Sequence, residues 1–543
     1  MRDTIGSFVV EDFNKMKARR SNWEAHWQEI AERILPDHAR FNVQNLWGGG
    51  KNTRKIYDGT SAFALTRHCA IMESLLTPHT QVWHHLRCPF PEINERDDVH
   101  EYFERVNKIL FTMRYAPDAG FISATQEYYL SIGAFGTSPI FLSSVLKNGK
   151  PSFNYISVPL NEFFFRAGWD NRPIACVRAF ERTAPSLIRE FGNASDELVK
   201  AAEKEPDRRF LILHYVCPNG EMPIKAKEPF EYVSAYVLHE TGQTLQVGGY
   251  YTFPYIVGRY MTAPSEEYGR SPAMLVLPDI KMLDEMSRTT IRAAHRAVEP
   301  PLLTVEDGAL SRLNLVPNAI NAGGLDEAGN PLVRPFEFGS NFNIGLELQD
   351  QRRAMINDAF FITLFQILVE TPRMTATEVI QRAQEKSSLL SPIMGRQQSE
   401  LLGRMIDREI DILERAELLP PMPEALEEAG GVMAIEYDSP LTRLQQSEEV
   451  GGIMRTLESA LPLMQLDPQI ADNFDFDAMT RLLARGNGAP SSVMRRVEEI
   501  QAMREQRAQE QEQERNAMMM ETASNAVKNT AQAQKFQAEA TSV

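Results

Sequence analysis

Tyr268-Gly269-Arg270-Ser271-Pro272-Ala273 leads into Leu277-Pro278-Asp279-Ile280-Lys281-Met282-Leu283, and the stretch closes on Ala297-Val298-Glu299-Pro300-Pro301-Leu302. The spacing predicts one long helix, Ala273 to Val298. Pro300 and Pro301 stop it because proline has no amide hydrogen and biases the residue before it away from helical backbone. An excursion follows to about Asn341, carrying Gly308, Gly323, Gly324, Gly329, Pro317, Pro331 and Pro335, so no single regular element can span it. A second long helix is expected from Gly345 to Val369. Ala359-Phe360-Phe361-Ile362 and Leu364-Phe365 make that helix apolar on more than one side, and such a helix must be covered on several sides. Pro372 marks a break before helical stretches at Ala376 to Leu390 and Pro392 to Glu417.

Upstream, Phe13, Met16, Trp23, Trp27, Ile30 and Ile34 recur at helical steps between Val10 and Leu35. Asp58 to Leu76, Val99 to Met113 and Ala119 to Gly133 continue the helical reading. The middle third then changes character. Ser152 to Val158, Cys176 to Arg182, Arg209 to Val216, Tyr232 to His239 and Thr244 to Val247 are short runs rich in β-branched and aromatic residues, which read as strands of a small antiparallel sheet. Gly242 supplies the turn between the last two, and Ala184 to Lys204 interrupts the strands with short helices. From Pro440 onward the chain reads as nearly all helix. The fold class is therefore α+β and mostly helical, and no fixed-period repeat suggests a solenoid.

The chain has 543 residues, 43% of them hydrophobic, and a formal net charge of -16. Its length suits two to four domains. The acidic balance argues against tight gripping of nucleic acid, which depends on Lys and Arg displacing phosphate counterions. Cys69, Cys88, Cys176 and Cys217 are widely spaced, a pattern that implies neither a disulfide framework nor a thiolate zinc site and that fits a reducing cytoplasm. Met1 to Arg20 does not read as a signal peptide. The longest apolar stretch, Ala359 to Val369, is about half of the roughly 20 residues a membrane span requires.

Several short motifs invite a chemical reading and fall short of it. Gly48-Gly49-Gly50-Lys51-Asn52-Thr53 lacks the spacing and the hydroxyl after lysine of a phosphate loop. Gly136-Thr137-Ser138-Pro139-Ile140 has Ile where a nucleophile elbow requires Gly, and reads as a turn entering a strand. His68-Cys69 and His84-His85-x-x-Cys88 have no partner pair at a recurring zinc spacing. Lys281, Arg288, Arg292 and Arg296 follow one another at seven, four and four residues and so share a helix face. That stripe is either a solvated face paired with acidic residues such as Asp284 and Glu285, or a contact with DNA or a neighbouring subunit. The tail from Glu498 to Arg515 alternates in sign, as a solvated helix or a bundle does.

The run from Tyr268 to Leu302 resembles the approach, body and exit of the first stem helix in the head-to-tail connector (portal) family of short-tailed double-stranded DNA bacteriophages. Further blocks stand in the family's order: Ile56-Tyr57-Asp58-Gly59-Thr60, Leu75-Leu76-Thr77-Pro78 with Trp83, Met374-Thr375-Ala376-Thr377-Glu378-Val379, Arg415-Ala416-Glu417-Leu418-Leu419-Pro420, and Ser439-Pro440-Leu441. The resemblance covers roughly residues 10 to 500. It implies a wing over 1–270, with its sheet at about 150–260, and a first stem helix over 271–300. A clip over 301–343, a second stem helix over 344–369 and a tunnel loop over 370–376 follow. Wing helices at 377–438, a crown at 439–496 and a C-terminal helical barrel or tail at 497–543 complete the layout.

The same resemblance implies a ring of about twelve copies at one capsid vertex, in the virion, assembled in the host cytoplasm. Double-stranded DNA would pass through it during packaging and ejection. Terminase, tail adaptor or nozzle proteins, capsid and scaffolding proteins would be its partners, with no membrane, no cofactor, no metal and no catalytic residue. Glu370, Thr371, Pro372, Arg373, Met374 and Thr375 would form the loop that projects towards DNA, Arg373 and Met374 nearest the phosphates and Glu370 offsetting the positive charge. Asn318, Gly323, Gly324, Asp326 and Asn330 would lie on the docking face of the clip. The rival readings are an α+β hydrolase or nuclease and another structural virion or tail protein.

Overall fold

The computed structural model describes residues 4–38, 41, 56–94, 96–147, 149–192, 196–223, 230–264, 266–299, 302–304, 325, 328–335, 342–364, 390–438, 440–466, 468–486, 494–495 and 497–540. The chain opens with α1 (Thr4–Ile34), α2 (Thr60–Leu76), β1 (His84–Arg87), α3 (Pro91–Asn94), α4 (Asp97–Arg114) and α5 (Phe121–Phe135). Then come β2 (Thr137–Lys147), β3 (Lys150–Ser157), β4 (Phe163–Ala167), β5 (Pro173–Thr183), α6 (Ala184–Phe191) and α7 (Asp196–Lys204). β6 (Arg209–Pro218), β7 (Tyr232–Leu238), β8 (Gln243–Tyr250), β9 (Tyr255–Arg259) and α8 (Pro272–Val298) complete the middle. After β10 (Leu302–Thr304) and β11 (Val333–Pro335) lie α9 (Phe342–Ala359) and α10 (Gly403–Arg415). The last elements are α11 (Glu424–Glu428), β12 (Ala434–Tyr437), α12 (Pro440–Leu466), α13 (Phe476–Gly486) and α14 (Val497–Ala540).

Two compact units result, Met1–Trp83 with Lys108–Leu419, and His84–Asn107 with Pro420–Val543. In the first, the expected small sheet is in fact two sheets: a five-stranded one in the order β4-β5-β6-β7-β8 and a three-stranded one in the order β3-β2-β9. Every pairing in both is antiparallel. One face of the larger sheet carries Phe164, Val177, Leu213, Tyr215 and Val233 against Ile5, Val9, Phe13 and Met16 of α1; Phe13 and Met16 open the helical stripe read from the sequence, and Ile5 and Val9 extend it towards the start of the helix. Beyond α1's stripe, Arg20 is 1% exposed and donates to the carbonyls of Leu160 (2.8 Å) and Phe163 (2.6 Å). A buried guanidinium is thereby satisfied by backbone acceptors.

The main core of this unit gathers Trp27, Ile30, Leu65, Phe135, Phe163, Phe165 and Tyr268 around Leu277, Ile280 and Leu283 of α8 and Ile356 at the end of α9. α8 starts where its sequence says it should. Ser271 accepts the Met274 amide at 3.1 Å and itself donates to the Ala134 carbonyl at 2.7 Å, and Pro272 occupies the first helical position. Gly136 ends α5 at φ 79°; a Cβ there would sit 2.3 Å from the Gly269 carbonyl oxygen, so only glycine fits. The bland reading of the Gly136 motif is the correct one, since β2 begins at Thr137.

The second long helix differs from expectation. The pattern predicts Gly345 to Val369, but α9 ends at Ala359 and Phe361 adopts φ 59°, the left-handed region that bulky residues avoid. Ile362–Leu364 return to helical backbone. No Gly or Pro stands between Leu346 and Thr371, so the cause is tertiary. Phe360 is fully buried and its carbonyl accepts from His68 Nδ1 of α2 at 3.0 Å, a contact with a distant helix at the point where the helical backbone breaks. The expected break at Pro372 lies outside the described residues.

The other unit pairs β1 with β12, His84 opposite Tyr437 and Arg87 opposite Ala434. Arg481 of α13 bonds Asp97 at 3.1 Å, and Arg504 of α14 bonds Asp477 at 2.6 Å. α14 is 44 residues long, and its described side chains are almost all exposed, in keeping with the alternating charge of its first half.

Candidate functional site

α8 and α9 form a hairpin of helices, because their contacts run in opposite order along the two. Arg352 bonds Asp279 at 2.6 Å near the start of α8, and Gln349 donates to Thr290 at 2.8 Å further along it. Beyond them β10 pairs with β11, Leu302 opposite Pro335 and Thr304 opposite Val333, with an isolated bridge between Leu325 and Pro331. The excursion that no regular element can span thus starts and ends as a short antiparallel ribbon.

A polar network holds the near end of the hairpin. Asp284 of α8 is 4% exposed; it accepts the backbone amides of Tyr57 and Asp58, both at 3.1 Å, and Arg33 of α1 at 3.2 Å. Burial raises the Asp284 pKa, and the two amides and Arg33 pull against that rise. Asp58 in turn takes Arg353 of α9 at 2.8 Å. Burial pushes the Asp58 carboxyl up, but its bonds to Thr60 and Arg353 outweigh burial and hold it below the usual range. The Ile56-Tyr57-Asp58-Gly59-Thr60 block therefore works as a bracket joining α1, α8 and α9.

The basic stripe divides. Lys281 pairs with Glu29 of α1 at 2.6 Å. Arg288 pairs with Glu285 at 3.4 Å and lies over the Tyr57 ring, 5.6 Å from its centroid. Both cations thus find partners within the chain, Glu285 among them, whereas Asp284 serves Arg33 and the backbone. Arg292 and Arg296 are exposed in the distal half of α8. Of the residues expected on the docking face, Asn330 is described and exposed; Asn318, Gly323, Gly324 and Asp326 lie outside the described residues. So do Glu370, Thr371, Pro372, Arg373, Met374 and Thr375, and the Gly48–Thr53 loop.

Sequence reasoning missed Arg33, Asp279, Arg352, Arg353 and His68 as the groups that fix the hairpin, since each finds its partner far away in the chain. His68 is 1% exposed, and burial lowers its pKa to about 4. Its ring is neutral at pH 7 with the proton on Nδ1, the nitrogen that faces the Phe360 carbonyl. Among the described residues, no group of three His, Cys, Asp or Glu is placed to hold a metal ion, and no helix is long and apolar enough to cross a membrane.

The candidate site is thus a pair of long helices, bracketed at one end and closed by a short ribbon at the other. The bacteriophage head to tail connecting protein family matches residues 9–494, and the chain belongs to that family. It is 26% identical over 530 residues to a probable portal protein of Bordetella phage BPP-1, covering 95% of this chain and 94% of that relative. It is 24% identical over 550 residues to the portal protein of Salmonella phage epsilon15, with 98% and 97% covered. Among solved structures, the neck of an empty GTA particle resembles it at 11% identity and a TM-score of 0.38, over 75% of this chain and 91% of that one.

Proposed function

We propose that the chain is the portal subunit of a phage head-tail junction, assembling into a ring of about twelve copies through which double-stranded DNA enters and leaves the capsid. The observation that carries this reading is the family match over residues 9–494, which spans both units and includes the α8–α9 hairpin. In this reading α8 and α9 are the stem, the ribbon of β10 and β11 is the base of the clip, and 370–376 is the tunnel loop beside the channel. The clip receives terminase during packaging and the tail adaptor afterwards, while the ring sits against capsid and scaffolding proteins. The subunit performs no catalysis; a separate motor hydrolyses nucleotide. A net charge of -16 per chain repels phosphate and keeps DNA sliding. Arg292 and Arg296 remain the stem positions that could meet DNA or a neighbour.

Light scattering and negative-stain imaging of the purified full chain test this. The expected result is a ring with a central hole, eluting far ahead of a 61.5 kDa monomer. A monomer at all concentrations, with no rings on the grid, would refute the assignment.

A further inference from the structure

Two apolar surfaces on different flanks of the stem hairpin are left uncovered in the single chain. The first is built by both helices. Leu275 and Met282 stand four residues before and three after Asp279 on α8, and Leu348 and Met355 stand four before and three after Arg352 on α9. Residues at those offsets share a helix face, and Asp279 and Arg352 bond each other at 2.6 Å. The four side chains are therefore arranged about one ion pair as a single patch, with Met355 Sδ 3.5 Å from the Arg352 guanidinium. They are 75%, 45%, 39% and 49% exposed in the order Leu275, Met282, Leu348, Met355. The charges at the centre of this patch are already neutralised within the chain.

The second surface is aromatic. Tyr57 is 44% and Phe63 71% exposed, and the Phe63 ring folds back over Gly59. Tyr57 is fixed by Asp284 and lies beneath Arg288, while its neighbour Asp58 holds Arg353. Arg352 and Arg353 are consecutive on α9, so they point about 100° apart. One reaches the aliphatic flank and the other the aromatic flank.

We infer that these flanks are the two halves of one contact between copies of this chain: Leu275, Met282, Leu348 and Met355 of one subunit receive Tyr57 and Phe63 of the next. Two unlike patches on different flanks make a head-to-tail contact, the kind that propagates around a ring, whereas one self-complementary patch would stop at a dimer. The chemistry matches as well, since flexible thioethers pack well against aromatic rings. The inference rests on the ring reading and names the surfaces that build it; it does not depend on the channel carrying DNA.

The test places the photo-crosslinking amino acid p-benzoyl-phenylalanine at position 63 of the full chain, irradiates the assembled protein and maps intermolecular cross-links by mass spectrometry. Cross-links should fall on peptides from α8 and α9 that contain Met282 or Met355. Met355→Glu and Phe63→Glu should each lower the assembled fraction at fixed concentration by about tenfold or more, with the far-ultraviolet circular dichroism of the subunit unchanged because both side chains are exposed. Rings whose cross-links from position 63 map elsewhere, with assembly insensitive to both substitutions, would overturn the inference and leave the ring standing. A chain that stays monomeric would overturn both.

Discussion

Arg114 and Arg33 each bind a carboxylate on a distant helix, yet the two sites differ in what surrounds the charge. The Arg114 and Glu409 side chains are fully buried and 2.5 Å apart, the Tyr155 hydroxyl donates to the same carboxylate, and the rings of Trp83 and Phe111 lie 4.6 and 5.0 Å from the guanidinium. Burial works against the charge on Arg114, but Glu409 more than compensates and raises its pKa. At the α8–α9 hairpin, Asp284 instead divides its bonds among two backbone amides and one arginine, and the adjoining pairs Arg352–Asp279 and Arg353–Asp58 are partly exposed. The first site is an all-or-none lock, because neither charge has water to fall back on. The second is a distributed bracket: at its two outer pairs solvent can replace a lost partner at modest cost, while the buried Asp284 shares its load among three donors. The body of the subunit is thereby fixed more firmly than the hairpin that rises from it.

Breaking the lock should give the largest effect. Glu409→Ala leaves Arg114 buried without its counter-ion and should destabilise the fold by about 3–5 kcal/mol, read from denaturant unfolding of the full chain. The sharper version replaces the whole site, Arg114→Met with Glu409→Leu and Tyr155→Phe, and should recover most of that loss, since a buried ion pair often gives no net gain over apolar residues of similar size. A triple variant as unstable as Glu409→Ala would mean that the lock stabilises the fold outright.

Acid should come next. His68 titrates near 6.5 when unfolded and at about 4 when folded, so between those values the unfolded chain binds more protons and stability falls as pH falls. By about pH 4 the loss approaches 3 kcal/mol for this residue, and it levels off below that pH. His214, held by Tyr255 and Ser234 and lowered by burial to about 3, adds to the same slope further down. Unfolding followed from pH 7 to 4 should show a shallower slope in His68→Asn than in the parent, and equal slopes would contradict a neutral, buried His68. A smaller effect, about 1–3 kcal/mol, is expected of Asp284→Ala, which strands the Tyr57 and Asp58 amides. Asp284→Asn, which keeps a carbonyl acceptor, should lose less.

The distribution of these anchors also explains what the sequence could and could not show. The five strand runs of the middle third match β3, β5, β6, β7 and β8, and the start of α8 is legible because Ser271 and Pro272 carry its cap locally. β4 and β9, five residues each, are not among those runs, and β2, eleven residues long, is marked only by the turn at Gly136 that enters it. The polar network of the hairpin was opaque for another reason: Arg33 and Asp284 are 251 residues apart, and Arg353 and Asp58 295. Periodicity reports which face of a helix is apolar; it carries no record of which distant carboxylate an arginine will find.

The end of α9 is the point where a distant contact overrides a clear local pattern, and it gives the smallest and most diagnostic prediction. Phe361 sits at φ 59° in a stretch that reads as uninterrupted helix, immediately after the residue whose carbonyl His68 takes. In a continuous helix, glycine is less stable than alanine by roughly 0.5–1 kcal/mol, because it loses more backbone freedom on folding. In the left-handed region the order reverses, since alanine's Cβ crowds the following carbonyl at a cost of about 1–2 kcal/mol and glycine has none. Phe361→Gly and Phe361→Ala remove the same partly buried ring, so the comparison between them cancels that loss and isolates the backbone. The glycine variant should be the more stable by about 1 kcal/mol in denaturant unfolding. If alanine proves equal or better, Phe361 is helical in solution and α9 runs on through 360 and 361; losing the bond to the Phe360 carbonyl, which holds the His68 pKa up against burial, would then steepen the acid slope of the parent.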